Sequence, residues 1–289
     1  MLMPLRFRGR ATPTDRPLVM AIVNRTPDSF YDRGATFAAE DAMEAVRSAV
    51  DEGADIVDIG GVKAAPGGEV SVAEETDRVV PFIAAVRERF PDLVISVDTW
   101  RHEVGRWACE AGADLLNDTW AGADPVLAEV AAEFEAGYVC SHTGGITPRT
   151  RPFRVRFPDL VNSVVEETTR RAEHAVALGV PRESVLIDPT HDFGKNTRHS
   201  LELVRHTEEL VATGWPVLMA LSNKDFVGET LGTSLEDRVT GTLAATAVAA
   251  NAGAAVFRAH QVRETRQVVD MVASIRGDRP PSGCVRGLS

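Results

Sequence analysis

Glu52-Gly53-Ala54-Asp55-Ile56-Val57-Asp58-Ile59-Gly60 is the stretch that decides how this chain folds. A glycine directly behind an acidic helical run supplies the left-handed residue that ends a helix. The continuous apolar run after it has the character of a parallel strand buried on both faces. The phrase returns as Ala111-Gly112-Ala113-Asp114 before Leu115 to Asp118, and as Ala252-Gly253-Ala254 before Ala255 to Arg258. A helix that stops on glycine and passes straight into a strand is half of a βα unit.

Counting outward from it, strands are expected at Leu18 to Asn24, Ile56 to Gly60, Val94 to Asp98, Leu115 to Asp118, Tyr138 to Ser141, Val185 to Asp188, Val217 to Leu221 and Ala255 to Arg258. Amphipathic helical stretches such as Glu40 to Glu52, Glu74 to Arg89, Asp159 to Leu178, Glu236 to Ala252 and Val262 to Ile275 separate them. Eight alternations over about 260 residues have the length of a single α/β domain, a (β/α)8 TIM barrel. An open doubly wound sheet is the other arrangement of the same alternation. The expected division is an N-terminal extension (1–17), the barrel (18–277) and a C-terminal tail (278–289). Thr143 to Pro158, rich in Gly, Pro and Arg, is too long for an ordinary βα loop and is expected over the barrel mouth.

At 289 residues and 44% hydrophobic content the chain can bury a large core. With 42 acidic against 31 basic residues, a net charge of -11 disfavours nucleic acid and anionic membrane surfaces as partners. Cys109, Cys140 and Cys284 are odd in number and lack zinc-site spacing, so they read as reduced thiols. MLMPLRFRGRATPTDRP lacks the apolar core of a secretory leader, and no segment has the apolar length of a membrane span. A cytoplasmic protein is expected.

Barrel chemistry sits where the C-terminal ends of the strands converge. Asn24, Asp58, Asp98, Asn117, Asp118, His142, Asp188, Ser222, Lys224, Arg258 and His260 all fall at or just after strand ends. Taken singly, each is equally well read as a cap or turn residue. Together they suit a small polar heterocycle beside an anion. Carboxylates and amides such as Asp98, Asn117 and Asp188 pair with ring N–H and amino groups, and Lys224 complements a ring carbonyl. Arg258, His260 and Asn24 are neighbours across the first and last strands and suit a phosphate with its divalent metal. These types do not separate a pterin from a flavin or a nucleotide. Asp192 to Asn196 lacks phosphate-loop spacing, and GxSxG, HExxH and GxGxxG are absent. Trp100, Trp107 and Trp120 are expected to pack in the core or at the rim.

Met20-Ala-Ile-Val-Asn-Arg-Thr-Pro-Asp-Ser-Phe30 resembles the opening motif of the dihydropteroate synthase family. Asp58 to Gly61, Ile95 to Thr99, Asn117-Asp118, Asp188-Pro189 with Phe193 to Lys195, Ser222 to Lys224 and Arg258 to His260 resemble its later motifs, in order. The resemblance implies that Asp98, Asn117, Asp188 and Lys224 hold a pterin ring, and that Asn24 binds Mg²⁺. It further implies that Arg258 and His260 bind pyrophosphate, that Phe193 and Ser222 border the p-aminobenzoate site, and that a homodimer forms through about 236–275. Catalysis would then rest on Asn24, Lys224, Arg258 and His260, with the metal and cations stabilising departing pyrophosphate.

The chain departs from that pattern in its second loop. The family's GGESTRPG is here Gly60-Gly-Val-Lys-Ala-Ala-Pro-Gly67, so its Thr and Arg fall on Ala64 and Ala65. Lys63 is a neighbouring cation, but a point charge does not replace a planar fork. Arg25, Tyr31, Asp32 and Arg33 in the first loop, Thr190-His191-Asp192 in the sixth and Asn223 in the seventh also differ. Two functions follow: a transferase condensing a pterin pyrophosphate with p-aminobenzoate, or a divergent paralogue that binds pterin without that activity. A barrel acting on a methylated tetrahydropterin fits less well, because that substrate has no pyrophosphate for Arg258 and His260.

Overall fold

The computed structural model describes residues 4–26, 39–150 and 156–286. Barrel strands β1 (Leu18–Asn24), β2 (Ile56–Gly60), β3 (Val94–Asp98), β4 (Leu115–Asp118), β5 (Gly137–Ser141), β6 (Val185–Asp188), β7 (Leu218–Met219) and β8 (Val256–Ala259) lie parallel in the order β6-β5-β4-β3-β2-β1-β8-β7. A parallel bridge between Ile187 and Val217, with the Ile187 N–H donating to the Pro216 carbonyl at 3.0 Å, brings β6 to β7 and closes the ring. The expected eightfold barrel is therefore the fold. β7 is shorter than Val217 to Leu221, because after Met219 the chain turns toward the mouth, where the Lys224 N–H donates to the Leu221 carbonyl.

The outer helices are α1 (Ala39–Asp51), α2 (Val72–Arg89), α3 (His102–Ala111), α4 (Val126–Glu133), α5 (Leu160–Leu178), α6 (Thr197–Arg205), α7 (Thr207–Ala212), α8 (Asp225–Leu231), α9 (Val239–Asn251) and α10 (Val262–Arg276). Ser71 and Asp159 cap α2 and α5 by accepting the Glu74 and Asn162 N–H groups. α9 starts at Val239 rather than Glu236, because Ser234 to Asp237 close a turn on themselves. Gly53, Gly112 and Gly253 all stand at positive φ, as the repeated phrase requires. The Asp of the phrase has its own purpose: Asp55 accepts the Val19 N–H and Asp114 the Ile95 N–H, both at 2.9 Å. Each carboxylate thereby joins the start of one strand to its neighbour.

Strand alternation sorts side chains into two cores. Val19, Ala21, Val23, Val57, Ile59, Ile95, Val97 and Leu116 face the helices. Leu18, Met20, Ile56, Val94, Leu115, Val139, Leu186, Leu218 and Val256 fill the barrel interior together with Leu5 and Phe7. The latter two come from a small hairpin, Arg6–Phe7 paired with Arg10–Ala11, that seals the barrel floor. Phe7 lies so close beneath Gly137 that a Cβ there would meet its ring at 2.6 Å. Among the described residues, no helix is long and apolar enough to cross a membrane.

Candidate functional site

The inward positions of β1 run Leu18, Met20, Ile22 and Asn24, from floor to mouth. Register then fixes what surrounds the last two: Ile22 pairs with Asp58, Asp58 with Ser96, Asp98 with Asn117, and Met20 with Arg258. A polar layer thus sits directly above the apolar plug. Arg258 links it, donating from Nε to Asp58 Oδ2 at 2.6 Å and from Nη2 to Asp98 Oδ2 at 2.9 Å. Asp58, fully buried, also accepts from Ser96 Oγ at 2.6 Å and Asn117 Nδ2 at 3.0 Å. Thr119 Oγ1 donates to the other oxygen of Asp98 at 2.7 Å.

Above this layer opens a cavity of about 620 Å³. Of the residues expected at the site, Asn24, Lys63, Asp98, Phe193, Ser222, Lys224, Arg258 and His260 line it. Asn117 and Asp188 are buried outside its lining. The Asn117 amide is bonded to Asp58, and Asp188 Oδ1 accepts the Thr190 N–H at 2.7 Å. Asp118 and His142 fall on the outward parity of β4 and β5. Asp118 accepts from Tyr138 Oη and from the Trp120 and Gly122 N–H groups, while His142 Nε2 faces Ser163 and Glu167 of α5. For those two the structural reading is the correct one.

Burial tunes the charges. Desolvation, with Arg258 opposing and Asp58 reinforcing, pushes the Asp98 carboxyl up from 3.8 to about 6. Burial also raises Asp188, against the pull of Lys224, and lowers Lys224. His260 is pushed down to about 3 by burial and by the Arg258 charge, so its imidazole is neutral at pH 7. Its Nδ1 lies 2.9 Å from Ser222 Oγ. The Lys224 ammonium donates to the His191 carbonyl and stands 5.0 Å from the centre of the Phe193 ring. The Phe193 ring in turn meets Trp120 edge-on with centroids 5.0 Å apart.

The wall built by the second loop is different. Val62, Ala64, Ala65 and Pro66 present apolar atoms, with Lys63 among them, and Ile146, Thr150 and Arg156 of the β5–α5 loop stand on the cavity as well. The expectation that Thr143 to Pro158 lies over the mouth holds for its described part; residues 151–155 lie outside it. Arg25 is not among the described residues lining the cavity; its guanidinium packs 4.8 Å from the Phe82 ring and donates to the Arg78 carbonyl at 3.4 Å. Tyr31, Asp32, Arg33 and the motif residues Pro27 to Phe30 lie outside the described residues.

Sequence reasoning missed Asp192, whose carboxylate lines the cavity while accepting the Asp225 N–H at 2.7 Å. It also missed Lys195, which donates to the carbonyls of His142, Phe193 and Thr190 at 2.7, 3.0 and 3.2 Å and so ties the ends of β5 and β6 together. The signal available for the first was its place in the loop that follows the β6 strand end, where Thr190 and Asp192 both stand at positive φ.

Residues 20–260 match the family model for pterin binding enzymes. The chain is 64% identical over 285 residues to the inactive dihydropteroate synthase 2 of Mycobacterium leprae, covering 97% of this chain and 98% of that relative. It is 34% identical over 261 residues to the dihydropteroate synthase of Streptococcus pyogenes serotype M6, covering 89% and 95%. Among solved structures, the Yersinia pestis dihydropteroate synthase in its sulfonamide drug complex superposes with a TM-score of 0.90 at 34% identity, covering 96% of this chain and 100% of that one.

Proposed function

Since the chain belongs to the pterin-binding enzyme family, we propose that it holds a pterin at its polar barrel layer but is inactive in dihydropteroate synthesis. The observation that carries this reading is the second-loop wall, where Ala64 and Ala65 stand in place of a hydroxyl and a guanidinium. A donor aimed at developing charge is worth about 10²- to 10³-fold in rate. Arg25 packs on α2, and Lys63, which stays on the wall, offers a point charge rather than a planar fork. The likeness to relatives named inactive supports the same reading.

Asp98, Lys224 and Arg258 supply the acceptor and donors for the ring, with Asn117 and Asp188 behind them, and the Phe193 and Trp120 rings flank the ligand. Asn24, neutral His260 and Arg258 face the substituent carrying the pyrophosphate. For Mg²⁺ the hard oxygens near Gly60 are Asn24 Oδ1 and Asp98 Oδ2, the second of which already accepts from Arg258 Nη2, so we assign the ion to Asn24. The ion would neutralise phosphate charge, and Asn24 would hold it. We further propose a cytoplasmic homodimer through α9 and α10, where Val248, Met271 and Ile275 are 54%, 62% and 68% exposed. A single chain's mass in sedimentation at micromolar concentration would remove the dimer.

The test supplies 6-hydroxymethyl-7,8-dihydropterin pyrophosphate, p-aminobenzoate and Mg²⁺ and follows pyrophosphate release beside calorimetry with the pterin alone. Binding without release is the expected outcome. Steady release dependent on the amine would restore the synthase reading, and absence of binding would end both.

A further inference from the structure

The chain leaves β7 through Ser222-Asn223-Lys224 and β8 through His260-Gln261, and side chains stitch the two turns together. Asn223 stands at φ +54, a left-handed conformation that asparagine tolerates. It is held there by Arg238, which donates to its carbonyl at 2.9 Å, and by its own N–H, which donates to Thr242 Oγ1 at 3.1 Å. Its amide then donates to Gln261 Oε1 at 3.1 Å. Beside it, Ser222 Oγ accepts the His260 backbone N–H at 3.1 Å and lies 2.9 Å from the ring Nδ1 of the same histidine, against 3.4 Å from Gln261 Oε1.

We infer that Ser222 is a positioning residue whose hydroxyl donates to Nδ1 and so holds His260 as the Nε2–H tautomer, presenting an N–H to an anionic substituent of the ligand. A hydroxyl has one proton to give. The nearer acceptor, Nδ1, takes it at 2.9 Å, because the Gln261 oxygen is further away and already receives from Asn223. The proton of the neutral imidazole then sits on the opposite nitrogen. Burial and the Arg258 charge keep the ring neutral at pH 7, so the tautomer decides whether Nε2 meets an anion with an N–H or with a lone pair. Arg258 already gives Nε to Asp58 and Nη2 to Asp98, so an added N–H beside it matters to the anion. Ser222 is itself buried and acts on the ligand through the ring it holds.

The tautomer stands on these distances; its service to an anion rests on the pterin reading, and the experiment separates the two. Histidine-selective ¹⁵N labelling of the full chain, with His260→Gln identifying the signal, reads the protonated ring nitrogen at pH 7 through two-bond ¹H–¹⁵N couplings. The Nε2–H pattern is expected in wild type and in Ser222→Thr, which keeps the hydroxyl, and its mixing or loss in Ser222→Ala. An Nδ1–H pattern in wild type, or an unchanged pattern in Ser222→Ala, overturns the proposal. Calorimetry with Mg²⁺ then compares 6-hydroxymethyl-7,8-dihydropterin pyrophosphate with 6-hydroxymethyl-7,8-dihydropterin. Ser222→Ala should weaken the first by about tenfold, the scale of one hydrogen bond to a charged group, and leave the second within about twofold. Equal weakening of both overturns the service to the anion. Failure of the wild-type protein to bind either pterin removes the preceding reading and that service with it, while the coupling pattern still decides the tautomer.

Discussion

The two halves of the cavity are built by different physics. Its base is strand-borne: Asp58, Asp98 and Arg258 come from β2, β3 and β8 and meet because sheet register leaves them no alternative. Its side is loop-borne, with apolar residues facing inward while Arg78, Arg101 and Arg149 donate to the Gly61, Val70 and Gly68 carbonyls. Side chains in the base determine one another, so a change at one leaves another buried and uncompensated. In the wall the arginines bind carbonyls that every residue type carries, so Thr and Arg can give way to Ala64 and Ala65 without disturbing the barrel. A site built this way can lose a reaction and keep a ligand.

Three variants press on that contrast. The largest effect is expected from Arg258→Ala, which leaves buried Asp58 and half-buried Asp98 without their cation and should cost about 3–5 kcal/mol, read by urea unfolding; a loss below about 1 kcal/mol would show that the base is not interdependent. Next, Ala64→Thr with Ala65→Arg places the missing groups on a wall that tolerates them. It should leave stability within about 1 kcal/mol and raise pyrophosphate release by at least about 10²-fold. No gain in rate would mean that the base has also drifted from its reaction. The smallest concerns Asp98. Its folded-state carboxyl is raised from 3.8 to about 6, so the folded protein binds more protons than the unfolded chain between those values. The stability this contributes is present below pH 3.8 and is lost as pH rises through about 6. The stability of wild type relative to Asp98→Asn should therefore fall over that window; a pH-independent difference would assign the raised carboxyl elsewhere.

Much of the barrel was legible because a parallel strand buried on both faces must be an apolar run, and the helices entering β2, β4 and β8 end on glycine. The occupants of the base were legible too, as polar residues at strand ends. Their orientation was legible in principle: Asp118 shares parity with Leu116, and His142 with Tyr138 and Cys140, all turned toward the helices. Pairings were not. Arg258 reads as a free cation in one dimension, and its bonds to Asp58 and Asp98 span 200 and 160 residues. Arg149 was equally opaque, since donation to a backbone carbonyl leaves no mark on the residue that accepts. Strand β7 was overextended because an apolar run continues through Leu221 after the ladder has ended.

The hairpin beneath the barrel makes the cavity a blind well. Phe7 and Leu5 stop the lower end, and apolar layers from Leu18 to Val256 fill the space above them. With the floor plugged, a molecule in the well leaves by the mouth it entered. Arrival and departure therefore share one mouth, and an occupant bars its successor for as long as it stays.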